Sequence, residues 1–426
     1  MVKLSVLSIL PAVVTAWPGV MELNSQLNKR VEPAPRDPLF LSNKPNTGVP
    51  TNIFNAEEQF VDVRDGSKNP FISPSKSDLR GQCPGLNAAA NHNFFPRNGK
   101  VTIDQTATGL AKAYGMSPEL AIALAVIAVA LSGDPLTGTW SIGAGFPATI
   151  PLIGGQPSGI VGTHDRYEGD ASIIRGDAYL NNGRVGVFQD RSWEHLWALA
   201  EDGLTFDKIS TQSDYVTRWS KENNPYFFQA PFSGLVAPAA HHFVIHFMSN
   251  HSAEVPGGTL TREVLKSFFS VTGDEPGKFV HHPGQERIPE NWYRRPGSLP
   301  HTLPGVFSDL LTTNAQYPGI VGVGGNTGTV NSYAGVDLAD LTGGVFNLGK
   351  LAEGNNGACF FLQAATAGLP DTADSALGSV ESLLGWATKE LGPITSKLGC
   401  PQLASFNNSL FDAFPGAKYQ STGLKL

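Results

Sequence analysis

Gln82-Cys83-Pro84-Gly85-Leu86-Asn87 is the stretch on which the reading turns, with Ala90-Asn91-His92-Asn93-Phe94-Phe95-Pro96-Arg97-Asn98-Gly99 close behind it. Proline fixes its own φ and restricts the residue before it, so the backbone at Cys83 is directed by its neighbour. A helix starting beyond the proline would aim amide donors at the sulfur and favour the thiolate. A cysteine that binds a metal needs just that, although a lone Cys-Pro pair also fits an inert buried thiol. The chain has three cysteines, Cys83, Cys359 and Cys400. In an oxidising compartment an odd number leaves one without a partner in the chain. Cys359 and Cys400 share the C-terminal quarter and form the economical pair. Cys83 is then the odd one, open to three roles: an interchain disulfide, a buried thiol or a metal ligand.

The N-terminus reads as an address. Lys3 precedes an apolar run from Leu4 to Val14, and Val14-Thr15-Ala16 offers small residues for cleavage. Residues 1–16 are therefore expected to be a signal peptide on a secreted, extracellular protein. The run is shorter than the roughly 20 apolar residues a spanning helix needs, so no stable membrane association is expected. Lys29-Arg30 is a candidate processing site, and Asn250-His251-Ser252 and Asn407-Asn408-Ser409 are glycosylation sequons. The net charge of -7 comes with no basic stripe, which leaves nucleic-acid binding without electrostatic support.

Residues 17–77, rich in Pro, Asn and Ser, read as a pro-segment and N-terminal arm. Residues 78–300 carry the structured body, and 301–426 a loop-rich C-terminal extension packed on it. Helical spacing runs from Asp104, a candidate N-cap, to Tyr114. A second helix starts at Ser117-Pro118-Glu119, a cap followed by proline at the first helical position. Its body, Leu120 to Leu131, is apolar on every face, which predicts a core helix ended by Gly133-Asp134-Pro135. Helical patterns recur over 192–201, 206–221, 236–249, 261–269 and 375–391. The stretch 318–344 predicts a small β excursion or a long loop. The fold class is mostly α, with about 8–10 helices and long loops.

A second motif is Tyr167-Glu168-Gly169-Asp170-Ala171-Ser172, with Arg175-Gly176-Asp177 after it. Two carboxylates, a hydroxyl and a closely approachable carbonyl suit a hard cation such as Mg²⁺. A capped turn entering a helix is the plainer reading of the same residues. A third segment is Glu286-Arg287-Ile288-Pro289-Glu290-Asn291-Trp292-Tyr293-Arg294-Arg295-Pro296. Cys-Pro-x-Leu-Asn, Ala-Asn-His, Pro-Arg-Asn-Gly, Glu-Gly-Asp-x-Ser and this third segment, in this order, resemble the haem-thiolate peroxidases of fungi. That family includes chloroperoxidase and the unspecific, or aromatic, peroxygenases, and the resemblance covers about residues 78–296.

The resemblance implies a single haem-thiolate peroxidase domain binding haem b, with Cys83 as the axial ligand of the iron. It implies Mg²⁺ held by Glu168, the Gly169 carbonyl and Ser172 and touching a haem propionate, with Asp170 supporting that loop or joining its ligands. The Cys359–Cys400 pair is similar to the disulfide of the longer family members. The implied partners are H2O2 and a small organic substrate, aromatic or aliphatic; the sequence leaves the oligomeric state open. Glu-Gly-Asp resembles the peroxygenase version of the motif, whereas the chloroperoxidase version has Glu-His-Asp.

One departure stands out. The family places a distal glutamate, and in its longer members an arginine, on a helix after the Mg²⁺ motif. Aligning that helix with 236–249 puts His241 at the glutamate and Gly234 at the arginine. His241, with His242 beside it, is therefore the expected acid–base pair, since neutral imidazole can take a proton from peroxide and return it. His242 and His246 have zinc-type spacing without an evident third ligand, and Glu254 is a second candidate for the missing carboxylate. Phe94, Phe227, Phe228 and Phe243 are candidates for a substrate channel, or ordinary core. The alternatives are a haloperoxidase, a secreted haem-binding protein that has lost turnover, and a structural protein joined through Cys83.

Overall fold

A computed structural model describes residues 41–149, 156–167, 169–347, 350–367, 380–401, 403, 405–419 and 421–422. The signal-peptide and dibasic expectations, and Glu168, lie outside the described residues. The fold is mostly α: the described residues hold ten helices of eight residues or more, joined by long loops and three small antiparallel sheets.

The apolar run behaves as its composition requires. Helix α1 spans Pro84–Asn91, α2 Ile103–Tyr114 and α3 Pro118–Ser132. Ser117 Oγ accepts the Leu120 N–H to cap α3, and Leu120, Ala121, Leu124, Val126, Ile127 and Val129 are all buried. A helix apolar on all sides needs cover on all sides. α2 supplies it from one direction, and α9 (Asn356–Ala367) and α10 (Val380–Leu398) supply it from another. The cap expected at Asp104 is corrected to Thr102. Thr102 and Gln105 exchange side-chain and backbone bonds in a capping box, which leaves Asp104 in the first turn facing the helix dipole.

The second half of the body is built by α4 (Asp190–Leu199), α5 (Phe206–Asn223), α6 (Ser233–Met248), α7 (Arg262–Phe269) and α8 (Leu303–Gln316). α6 begins three residues before the expected 236. Pro238 sits inside it, so one backbone donor is missing from its ladder. α8 starts just past residue 300 and packs on α5 and α6. The N-terminal arm is tied to the same helices. Ser42 Oγ donates to Asp207, Asn46 accepts the Phe206 N–H at the start of α5, and Lys44 is ion-paired with Asp309.

Within 318–344 the excursion is a hairpin, β2 (Gly324–Asn326) with β3 (Tyr333–Gly335); β2 also pairs with β1 (Phe228–Gln229) just ahead of α6. Cys359 and Cys400 form a disulfide with Cα atoms 5.3 Å apart, tying α9 to the end of α10.

Candidate functional site

Cys83 stands at the N-cap of α1, with Pro84 as the first helical residue. Its thiol is pushed up by burial. The backbone N–H groups of Leu86 and Gly85 pull it down, Glu286 pushes it up and Arg175 pulls it down. Neither amide completes a capping hydrogen bond, so they act as oriented dipoles more than as tight donors. Cys83 is the free cysteine of the described residues, half-buried, with its accessible surface in a cavity.

The loop bearing that sulfur is fixed from every side. Asn87 accepts the Gly81 N–H (3.0 Å) and donates both to Gly81 O (2.8 Å) and to Glu286 Oε1 (3.0 Å). A Cβ on Gly81 would lie 2.0 Å from the Ile142 carbonyl oxygen, so only glycine lets the two strands approach. Asn91 donates to Gly284 O and Glu286 O while its Oδ1 accepts two bonds from Arg80. His92 Nε2 accepts the Ile288 N–H at 3.1 Å and its Nδ1 faces Asn69 O at 3.0 Å. That pairing fits a neutral ring, and burial pushes its pKa down to about 4. The motifs around Cys83 and Glu286 thus meet in space, each satisfying the other's buried polar groups. Arg175 completes this wall: Nε donates to Gln82 O (3.3 Å), and Nη2 lies 3.6 Å from Glu286.

The cavity has an empty volume of about 1270 Å³, its solvent-open mouth included. Its walls are mainly apolar, with Leu110, Leu124, Ile173, Val244, Phe243 and Phe247 among them. Cys83 and His241 line the same cavity. His241 is buried on α6. Its Nδ1 lies 2.7 Å from Ser213 Oγ on α5, and its Nε2 has no hydrogen-bond partner among the described residues. Burial, then the neighbouring His242, pushes its pKa down to about 3, while the Ala171 backbone pulls weakly upward. The ring is therefore neutral across ordinary pH.

His242 faces elsewhere. Nδ1 meets Pro238 O at 2.8 Å, Nε2 meets Thr313 Oγ1 at 2.8 Å, and the ring stacks on Phe206 outside the cavity. With both nitrogens engaged it has no free site for a proton from peroxide, which corrects its expected place beside His241. The zinc-type pair of His242 and His246 is corrected too. His246 turns to Asp309 (2.7 Å) and stacks on His301 (ring centroids 3.9 Å apart), in a buried group that includes Lys44 and Arg295. Glu254 is exposed and bonded to Ser252, far in character from a buried acid. Of the four candidate phenylalanines, Phe243 lines the cavity. Phe227 packs with Ala171 and Val216, Phe228 with Phe411 and Phe414, and Phe94 against the core. At Gly234 a Cβ would stand 2.2 Å from Gly322 O, so no arginine fits there.

In the second motif the Gly169 carbonyl and the Ser172 hydroxyl oxygens are 3.3 Å apart. Neighbouring oxygens around an octahedral Mg²⁺ stand about 3 Å apart, so this donor pair suits the cation. Asp170 accepts from the Ala178 N–H (3.2 Å) and from Asn224 (3.0 Å), which turns its carboxylate to the back of the loop. Asp165 and His164 adjoin it, with His164 Nε2 at 2.9 Å from Asp165 and 3.4 Å from Asp170. Burial, then Asp177, pushes both Asp165 and Asp170 well above the usual carboxylate range.

Sequence reasoning missed Ser213, the Arg175–Glu286 pair and most of the cavity wall. Ser213 lies in a helix that reads as amphipathic, and nothing in the chain marks its pairing with a residue 28 positions on. The family model "Peroxidase, family 2" matches residues 69–297. The chain is 36% identical to "Aromatic peroxidase fscJ" of Fusarium equiseti, over 87% of this chain and 88% of that one. It is 34% identical to "Dothistromin biosynthesis peroxidase dotB" of Dothistroma septosporum (85% and 87%), and 27% identical to "Aromatic peroxygenase" of Cyclocybe aegerita (62% and 66%).

Proposed function

The chain belongs to peroxidase family 2, the fungal haem-thiolate peroxidases, and from that premise we propose that it uses H2O2 to oxygenate or oxidise small organic substrates, aromatic or aliphatic. The observation that carries this reading is a single apolar cavity holding a cysteine at a helix N-terminus and a buried imidazole nitrogen without a partner. The residues fit a haem: a thiol beside amide dipoles for the iron, apolar walls for the macrocycle and one base. Haem b held by Cys83 supplies the iron at which peroxide is activated and oxygen passed to substrate.

The chain's own residues do the rest. Leu86 and Gly85 N–H groups and Arg175 favour the thiolate form of Cys83, opposing in part the burial that raises its pKa. His241 Nε2 takes a proton from peroxide and returns it to the departing oxygen. Glu168, the Gly169 carbonyl and Ser172 hold Mg²⁺, while Asp170 braces their loop. Apolar side chains such as Phe243 and Phe247 exclude water and favour a flat, uncharged substrate. The leader-like residues 1–16 support secretion, and Asn407, being exposed, is the better glycan acceptor of the two sequons.

The test is spectral, then chemical. Reduced protein under carbon monoxide is expected to give the red-shifted Soret band of a thiolate-ligated haem, lost in Cys83→Ser; a wild type without that band overturns the ligation. With peroxide, an aromatic probe should gain oxygen. Halogenated product in the presence of halide would favour a haloperoxidase instead, and haem without any peroxide-dependent product a haem-binding protein.

A further inference from the structure

We propose that Ser213 is a positioning residue: its hydroxyl accepts the Nδ1–H of His241, fixing the tautomer that leaves the Nε2 lone pair without a hydrogen bond on a ring that lines the cavity. The inference rests on the reading of His241 as the acid–base group and goes beyond it to ask what makes that imidazole usable.

A neutral imidazole carries one N–H, and the two tautomers have opposite consequences. With hydrogen on Nε2, a buried donor would lack a well-formed hydrogen bond among the described residues, with the Ala171 carbonyl only a weak contact of the ring, at a cost of about 1–3 kcal/mol. With hydrogen on Nδ1, the donor meets Ser213 Oγ at 2.7 Å and Nε2 presents a lone pair. Several hydroxyls of α5 reach across to neighbouring elements, Ser210 to Thr313 Oγ1, Thr211 to Tyr317 OH and Ser220 to Asp177, but none of these meets a ring that lines the cavity. Ser213 reaches across to α6, and neither it nor His241 is exposed.

The neutrality of the partner matters as much as its position. His246, further along the same helix, is paired with the charged Asp309 carboxylate. Serine holds no such charge. His242 is the titratable neighbour acting on His241, and among the described residues no carboxylate pulls its pKa up. A proton moved from peroxide to Nε2 is therefore readily passed to the outer oxygen, which leaves as water. The Nδ1–H to Ser213 bond is the same before and after, so the ring ends in its starting tautomer.

Cyanide binding reads this without turnover, because hydrogen cyanide reaches the iron by giving its proton to a base. Stopped-flow cyanide on-rates are compared for holoenzyme wild type, Ser213→Ala, Ser213→Thr and His241→Ala, each first checked for its carbon monoxide Soret band. Ser213→Ala is expected to slow the on-rate ~10-fold or more, Ser213→Thr to restore it, and His241→Ala to slow it at least as much. A wild-type rate in Ser213→Ala beside a slow His241→Ala overturns the role of Ser213. Equal slowing in Ser213→Thr also overturns it, since the hydroxyl would then not be the cause. A wild-type rate in His241→Ala removes the premise instead. Should Ser213→Ala not retain haem, Ser213→Cys, with a poor acceptor of similar shape, takes its place under the same criteria.

Discussion

The two walls of the cavity are built on opposite plans. Around Cys83, Asn87 and Asn91 have their side-chain polar atoms engaged, and their partners include a segment some 200 residues away. Around His241 the ring has one bond, to Ser213, and one bare nitrogen, on a helix interrupted by Pro238. Where a ligand must be aimed at a fixed atom, the chain spends its buried polar groups on rigidity. Where a proton must come and go, it leaves one group unsatisfied. An orphaned buried nitrogen is costly, and such costs persist where function needs them. On the proposed reading, the wall that carries His241 makes fewer demands on its surroundings than the wall that carries Cys83.

The comparison breaks first, and most visibly, at His241. His241→Ala should lower peroxide-dependent turnover by about 10²–10⁴-fold, or about 3–5 kcal/mol in the barrier, with the carbon monoxide spectrum and the unfolding midpoint little changed. Loss of haem in that variant would mean the wall is structural after all. The opposite wall should respond the other way. Asn87→Ala strips Gly81 and Glu286 of partners, and a loss of about 3 kcal/mol in stability is expected from urea unfolding of the holoenzyme, with a weakened red-shifted band. An unchanged midpoint would show that the bracket around Cys83 is not what holds it.

The effect that is smallest for any one residue and pH unit is one in which the walls should agree. Both contain buried neutral histidines with pKa values of about 4, His92 beside the cysteine loop and His242 behind the distal helix; His251 is a third. In the unfolded chain the same groups titrate near 6.5. Between those values the unfolded chain binds protons the folded one does not, so stability rises with pH and falls on acidification from about 6.5 to 4. Each histidine contributes about 1.4 kcal/mol per pH unit over that window, offset in part by Asp165 and Asp170, whose raised pKa values act in the opposite sense. Melting temperature against pH checks this, and His92→Gln and His242→Gln should each flatten the slope by one proton. A melting temperature that is level across the window rules it out.

The sequence made α3 legible because a helix apolar on every face has few places to go, and Ser117-Pro118 marks its start. It made Cys83 legible because proline and an odd cysteine count are local facts. What it hid was pairing at a distance. His241, His242 and His246 stand in one short run, alike in type, and only packing separates them: one meets Ser213, one Thr313 and one Asp309. The spacing of His242 and His246 suggested a shared metal because the pattern carries no record of which ring nitrogens are already taken. Helix α8, which supplies two of those partners, carries Gly305 and Pro304 near its start and lacks the strong apolar period that reveals α2 or α3. The Mg²⁺ motif was readable as a string, yet the turn of Asp170 towards Ala178 and Asn224 depends on backbone geometry, including Ala171 at φ 61°.

Gly234 bears on the history of such a site. Its missing side chain is filled by the Gly322 carbonyl, 2.2 Å from where a Cβ would be. A descendant of this chain could not take up an arginine there by one codon change, because the loop before β2 would first have to withdraw. The two positions are epistatic: the order of substitutions, and not only their sum, decides which are viable. Variation that would place a charged side chain at the start of α6 is thus gated by a backbone contact remote from His241.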